Sequence, residues 1–475
     1  MKYNLVWAIS VFAFSLICCL NTSKAELSLA SPFTNNAVLQ HDMPLPVWGS
    51  ADPDAKIKVA FAGQTKQGTA DSNGRWQIDL DPLDASYDAR EMVVTNLATD
   101  ETQKIKNVIV GEVWICCGQS NMQMETEKIP EVKALIPSMK NIRRFTVKQV
   151  ASVKEQDRCG GQWKQQNPVS AVAFAFAYFL EQSAGAPIGI VQSSWGSSSI
   201  EGWTPRDMVD ELPHFKKIMQ AFDADAEKLK KIESILTGPK PWGRKNDIFL
   251  RRQPNIVYNG MMHPLAPLAC RGFVWYQGEA NGKTKGSMLQ YGKTLPAWIQ
   301  RYRKEWGRSD MNFLIVMLPG YAKGVKLRNH PDQRSWAWLR ESQMKALDLP
   351  KTAIANTIDL GLANNIHPQD KLPIGKRLAL LAAKETLGQK ILDRGPVMRQ
   401  VQADGERLVV QFDHANGLKT LDGKPPTSFW LASEPEKWVK ATAEISGETV
   451  VLSSCLLYTS PSPRDQRGSR MPSSA

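Results

Sequence analysis

Residues 111–125 read GEVWICCGQSNMQME, an apolar, strand-forming run that stops on a small polar residue, Ser120, with a glycine two places before it and an asparagine just after. Joined to the preceding VIV, the run predicts a buried strand that ends in an abrupt turn. Similar runs recur downstream as IGIVQSS (188–194), CRGFVWYQG (270–278), NFLIVML (312–318) and TAIANTIDL (352–360). Between them lie AVAFAFAYFLEQ (171–182), MLQYGKTLPAWIQRYRKEW (288–306), SWAWLRESQMKAL (335–347) and IGKRLALLAAKETL (374–387), whose apolar residues have helical spacing. This alternation predicts an α/β region over 107–392, with a mainly parallel sheet covered by helices. The charged stretch 223–254, interrupted by TGPKPWG, reads as an insertion or long loop.

Both flanks have a different rhythm. Over 26–106, KIKVAFAG puts Ile57, Val59 and Phe61 on one face, SNG turns at 72–74, and RWQIDL puts Trp76, Ile78 and Leu80 on one face, which predicts a small β-sandwich. Over 393–454 the alternation returns in RLVVQFDH, SFWLAS and TVVLSS, a second β-region that reads as incomplete. The last stretch, 455–475, is rich in Ser, Pro and Arg without periodicity and resembles a non-native or disordered tail. At the other end, Lys2, the apolar run LVWAISVFAFSLICCL and the small residues Ser23 and Ala25 read as a signal peptide over 1–25, which implies a secreted or periplasmic protein.

With 475 residues, 42% hydrophobic and 22% charged, the chain can bury a real core in two or three domains. After the leader, no segment offers about 18 uninterrupted apolar residues, so no integral membrane segment is expected. The formal charge of +12 is dispersed, without an arginine-rich or aromatic-interleaved stripe, which argues against nucleic acid. Beyond Cys18 and Cys19 in the leader, Cys116, Cys117, Cys159, Cys270 and Cys455 form neither a disulfide framework nor a CxxC metal pattern.

In open α/β sheets ligands gather outside the carboxyl ends of the strands. Those ends here read CGQSN, SSWGSSS and WYQGEAN, and the segment after the last strand reads LGLANNIHPQDK. Together they hold a serine, a histidine, a carboxylate, glycines and amides, the inventory of acyl transfer through a covalent serine. The pattern is not the G-x-S-x-G elbow of α/β-hydrolases. It resembles the SGNH-hydrolase superfamily and, within it, the sialate O-acetylesterase family of carbohydrate esterases. The blocks that carry the resemblance are GEVWICCGQSNM, IGIVQSSWG, YNGMMHPLAPL, RGFVWYQGEAN, LRESQ and NNIHPQDK, in order along nearly the whole chain.

The resemblance implies Ser120 as nucleophile, His367 as general base, and an oxyanion held by the backbone N–H groups of Ser120 and Gly196 and the amide of Asn281. It implies an acetylated carbohydrate as substrate and neither metal nor cofactor. Gln119, Trp195, Gln277 and Arg251 are the candidate substrate contacts, Arg251 with Arg252 being the pair that a sialate carboxylate would want. Where the family pattern has an acid shortly before the histidine, this chain has Asn364 and Asn365. Glu279 is the favoured substitute, Asp359 a second, and Asn365 orienting the ring in a dyad a third. Ser197 and Cys117 replace a glycine and a serine that the pattern favours. Sialic acid and acetylated plant polysaccharide are the alternative substrates, and a glycan-binding protein with a degenerate esterase domain is the alternative function.

Overall fold

The computed structural model describes residues 26–454 apart from 140, 166–169, 324–333, 433 and 435–436. The expected leader 1–25 and tail 455–475 lie outside the described residues.

The architecture is mixed α/β and is organised on one 17-residue strand, Thr102–Gly118. Its first residues alternate between exposed and at least half-buried and pair antiparallel with Ser86–Asn96. From Val108 onward every residue is buried, and the strand pairs parallel with Ile188–Ser194 on one side and Gly272–Tyr276 on the other. The change from alternating to continuous burial explains the change of rhythm in the sequence, because a strand covered on both faces has no polar face to display. The boundary expected at 106/107 therefore falls inside a continuous strand.

The sheet extends through Ile142–Thr146 to Trp163–Gln165 on one flank and through Asn312–Val316 to Thr352–Ala355 on the other. Only the outermost pair, Trp163–Gln165 with Ile142–Thr146, is antiparallel along this path. Successive side chains leave a strand on opposite faces. Trp114 meets Phe176 of the helix Ala171–Ala184 edge-on at 5.3 Å, and that helix packs so closely on Leu372–Leu387 that a Cβ on Gly375 would stand 2.4 Å from the Ala175 Cβ. Phe273 and Trp275 point the other way, to Tyr302 at 5.7 Å and Trp298 at 4.5 Å on the helix Lys285–Glu305.

Towards the N-terminus, Ser28–Leu29, Leu45–Ser50 and Arg75–Leu80 form a separate three-stranded sheet. Its buried residues Val47, Trp76, Ile78 and Leu80 share one apolar cluster with Ile57, Val59 and Val94 of the neighbouring strands. Near the C-terminus, Val397–Asp404, Arg407–Asp413, Thr442–Ser446 and Thr449–Ser453 form a four-stranded antiparallel sheet over its own small cluster, which includes Val410, Ala443, Val450 and Leu452.

Two expectations need correction. The stretch 223–254 is not one long loop but carries two helices: Ala226–Thr237 begins at Asp225, whose side chain accepts from the Lys228 N–H, and buries Ile232 and Ile235, while Arg244–Leu250 buries Leu250. Sparse apolar residues suffice there because a helix lying on a larger body needs only a narrow buried stripe. The strand Ile142–Thr146 (IRRFT) was not among the expected strands. Two arginines disguise it; Arg143 is buried and donates to the Asn107 backbone carbonyl and side chain.

Candidate active site

At its carboxyl end the central strand must turn away without clashing with its neighbour. Gly118 does this at φ 138°, where an added Cβ would stand 2.1 Å from the Tyr276 carbonyl oxygen. The turn passes through Gln119 into the short helix Ser120–Gln123, so Ser120 is its first residue. The next strand over, Ile188–Ser194, runs into a loop that brings Gly196 beside the serine; a Cβ on Gly196 would lie 3.3 Å from the Ser120 Cβ.

His367 comes from the loop after the last strand of the sheet, and its Nε2 lies 2.8 Å from the Ser120 Oγ. Partial burial, and then the positive charge of Lys371, hold the imidazole below its ordinary pKa and favour the neutral form. Among the described residues no carboxylate is hydrogen-bonded to the His367 ring. Asp359 is instead paired with Arg377 through both carboxylate oxygens, at 2.7 and 2.6 Å. Asn365 accepts the backbone N–H of His367 at 2.9 Å, so its carbonyl oxygen fixes the loop and not the ring.

Glu279 is buried close by but reaches a different partner. Its Oε1 accepts from the Asn121 Nδ2 at 2.5 Å, and its Oε2 has no hydrogen-bond partner among the described residues. Burial pushes its carboxyl pKa up, against the opposing pull of the Asn121 bond, backbone N–H groups and Lys371. The same Asn121 Nδ2 donates to the Ile366 carbonyl at 3.0 Å, and its Oδ1 accepts from the Lys371 Nζ at 2.6 Å.

The other expected residues divide. Gly196, expected in the oxyanion hole, lies beside Ser120, with its N–H occupied by the Gln123 Oε1 at 2.7 Å. Asn281 accepts from the Ile200 N–H and from Gln277, and its Nδ2 donates to the two Glu201 carboxylate oxygens at 2.9 and 3.0 Å. Gln277 is fully buried and donates to Asn281, Ser198 and Gln119; Gln119 also accepts the Ala280 N–H. Both glutamines, expected at the substrate, thus brace the loops that surround Ser120. Trp195 is buried and stacks on Trp242 at 6.3 Å, its indole N–H without a partner among the described residues. Arg251 lies beside the Gly196 loop, paired with Asp247 at 2.9 Å, and the Arg252 Nε reaches the Ser197 carbonyl at 3.4 Å. Ser197 itself takes a left-handed φ of 61°, the conformation that accounts for glycine in the related pattern.

Comparison with known proteins gives this geometry its context. Residues 246–384 match the family described as carbohydrate esterase, sialic acid-specific acetylesterase. A crystal structure of a carbohydrate acetylesterase from Xanthomonas citri superposes with a TM-score of 0.76 at 32% identity, covering 90% of this chain and 91% of that one. The chain belongs to the sialate O-acetylesterase family. It is a carboxylic ester hydrolase of the carbohydrate esterase class. It is 26% identical to the sialate O-acetylesterase of Mus musculus, over 89% of this chain and 86% of the mouse protein, and 25% identical to that of Homo sapiens, over 90% and 85%.

For this esterase, sequence reasoning missed Asn121, Gln123 and Lys371. Asn121 and Lys371 stand inside the quoted blocks GQSN and NNIHPQDK, but a lysine four residues after a histidine reads as a solvated charge until the loop is seen to turn it inward. Among the described residues no group of three or more His, Cys, Asp and Glu side chains could hold a metal, and no helix is long and apolar enough to cross a membrane.

Proposed function

We propose that this chain is an exported serine esterase that removes O-acetyl groups from carbohydrates through an acetyl-Ser120 intermediate. The observation that carries the reading is the 2.8 Å contact between the Ser120 Oγ and the His367 Nε2 at the rim of the sheet, with Gly196 alongside. The Ser120 Oγ bonds to the acetyl carbonyl carbon while its proton passes to the His367 Nε2. The bond to the sugar oxygen then breaks, and that oxygen leaves with the proton. Water completes the cycle: His367 takes one of its protons, the water oxygen bonds to the carbonyl carbon, the bond to Oγ breaks, the proton returns to Oγ, and acetic acid departs, giving up its remaining proton to solvent as acetate.

The developing oxyanion is met by the N–H groups of Ser120 and Gly196, the latter once the Gln123 amide oxygen yields its place; each such donor is typically worth about 3 kcal/mol of barrier. Asn281 contributes its amide only by turning from Glu201. We further propose that Ser120 and His367 act as a dyad, with Glu279 working through Asn121. The parallel strands with helices on both faces support an SGNH-hydrolase-like arrangement for 107–392. The sheets that share a core before it support an N-terminal β-sandwich, and the separate apolar cluster after it supports a distinct β-domain over 393–454.

Arg251, beside the Gly196 loop, favours a sugar that carries a carboxylate, as sialic acid does, over a neutral acetylated xylan. The test is release of acetate from matched acetylated acidic and neutral sugars by the wild-type protein and Ser120→Ala. Acetate release by wild type alone supports the esterase; no release from any sugar, with the glycan still bound, would establish the degenerate binding protein.

A further inference from the structure

Lys371 has no place in the reaction as described, yet its ammonium is completely buried. Taking a charge out of water is expensive, and a methionine would fill similar space without that penalty. A purely packing role therefore leaves the charge unexplained. What surrounds the ammonium is specific: the Asn121 Oδ1 at 2.6 Å, the Tyr276 ring with its centroid at 5.3 Å, and the fields of Glu279 and Asp370. Burial pulls the Lys371 pKa down to about 8, against those two carboxylates.

Asn121 is the residue after the nucleophile, and it is held on both sides. Lys371 grips its carbonyl oxygen, while its amide nitrogen donates to Glu279 and to the carbonyl of Ile366, the residue before His367. One side chain thus ties together the turn that carries Ser120, the loop that carries His367 and the loop that carries Glu279. A primary amide flips easily, since its two ends differ only in hydrogen-bonding sense. A cation on one side and a carboxylate on the other admit a single orientation.

We propose that Lys371 is a positioning residue of the deacetylation reaction: by locking Asn121 against Glu279, it holds the His367 loop in register with the Ser120 turn. The proposal rests on the Ser120–His367 reading above. It adds an electrostatic consequence, because Lys371 is the charged group that acts on the His367 ring and opposes its protonation. Removal of the ammonium loosens the alignment and lets the imidazole protonate more readily.

The experiment uses the full chain and an acetylated aryl ester, with Lys371→Met, Lys371→Gln, Asn121→Ala, the Lys371→Met/Asn121→Ala double variant and Ser120→Ala measured together. Lys371→Met should lower kcat by about a hundredfold, the scale of a small misplacement of reacting groups, with KM little changed. The acidic limb of its kcat/KM profile should move to higher pH. The double variant should lose no more than the worse single one, because both cut the same tie. Lys371→Gln can still donate to Asn121; it should recover most of kcat while keeping the upward move of the limb. Turnover of Lys371→Met within about threefold of wild type, losses that multiply in the double variant, or an unmoved acidic limb in Lys371→Gln would each overturn the proposal. If Lys371→Met does not fold, the limb of Lys371→Gln decides. Persisting turnover in Ser120→Ala would instead remove the catalytic reading on which the proposal rests.

Discussion

Two histidines stand along the central strand, one beside its middle and one beyond its carboxyl end, and their surroundings are opposite in kind. Beside the middle, His41 places its Nε2 2.5 Å from Glu112 and its Nδ1 2.6 Å from Asp42, while Arg271 holds both oxygens of Glu112. At the exit end, His367 faces a serine hydroxyl and the field of a buried lysine. Burial works against charge on both rings. For His41 it is outweighed by the bond and field of Glu112, helped by Asp42 against Arg271, and the pKa rises. For His367 nothing opposes burial, Lys371 adds to it, and the pKa falls. Glu112 completes the contrast: burial pushes its carboxyl up, but the bonds from His41 and Arg271 win and hold it below the ordinary range. A histidine supplied with acids becomes a charged strut between the N-terminal strands and the parallel sheet. One deprived of them stays neutral and can accept a proton.

The largest expected effect lies at the exit end. Ser120→Ala should lower acetyl ester turnover by at least about a thousandfold while the fold is kept, because only oxyanion and binding effects remain. Circular dichroism and single-turnover kinetics check this, and unchanged turnover would take Ser120 out of the mechanism. Glu279→Gln should cost less, about tenfold, since the amide still accepts from Asn121 and only the charge behind the relay is lost. A loss near 10⁴, the scale seen when a triad carboxylate is neutralised, would mean that Glu279 reaches the imidazolium directly during turnover.

The two histidines should also give opposite pH signatures. Because the His367 pKa lies below its ordinary 6.5, the acidic limb of kcat/KM should fall below pH 6.5, measured on an acetyl ester. The His41 pKa is raised above 6.5 in the folded state, so its stabilisation is fully present below that pH and is lost as pH rises through the folded value. His41→Gln should therefore lower the melting temperature by a few degrees at mildly acidic pH and by less at alkaline pH. An equal drop at both pH values would mean that packing, not charge, makes the strut. The smallest effect belongs to Asp359→Asn: this carboxylate is exposed and paired with Arg377, so turnover should stay within about twofold of wild type. A large loss there would restore Asp359 as the partner of His367.

The sequence by itself determined most of the elements and singled out the proposed pair, Ser120 and His367. Continuous apolar runs such as VIVGEVWICC match strands covered on both faces, alternation in KIKVAFAG and RWQIDL matches strands with one face exposed, and Ser120 and His367 follow the ends of two such strands, where polar groups gather at the rim. It missed Ile142–Thr146 because Arg143 reads as polar when its charge is in fact satisfied by Asn107, a partner 36 residues away. It could not rank Glu279 against Asp359, since both are carboxylates near the rim. Only the tertiary structure decided that Asp359 turns outward to Arg377, that Glu279 meets Asn121, and that Lys371 turns inward to close the relay. The physical reason is that periodicity records which face of an element is apolar, whereas a hydrogen bond of 2.5–2.6 Å depends on where separate loops finally lie, and no local pattern encodes that.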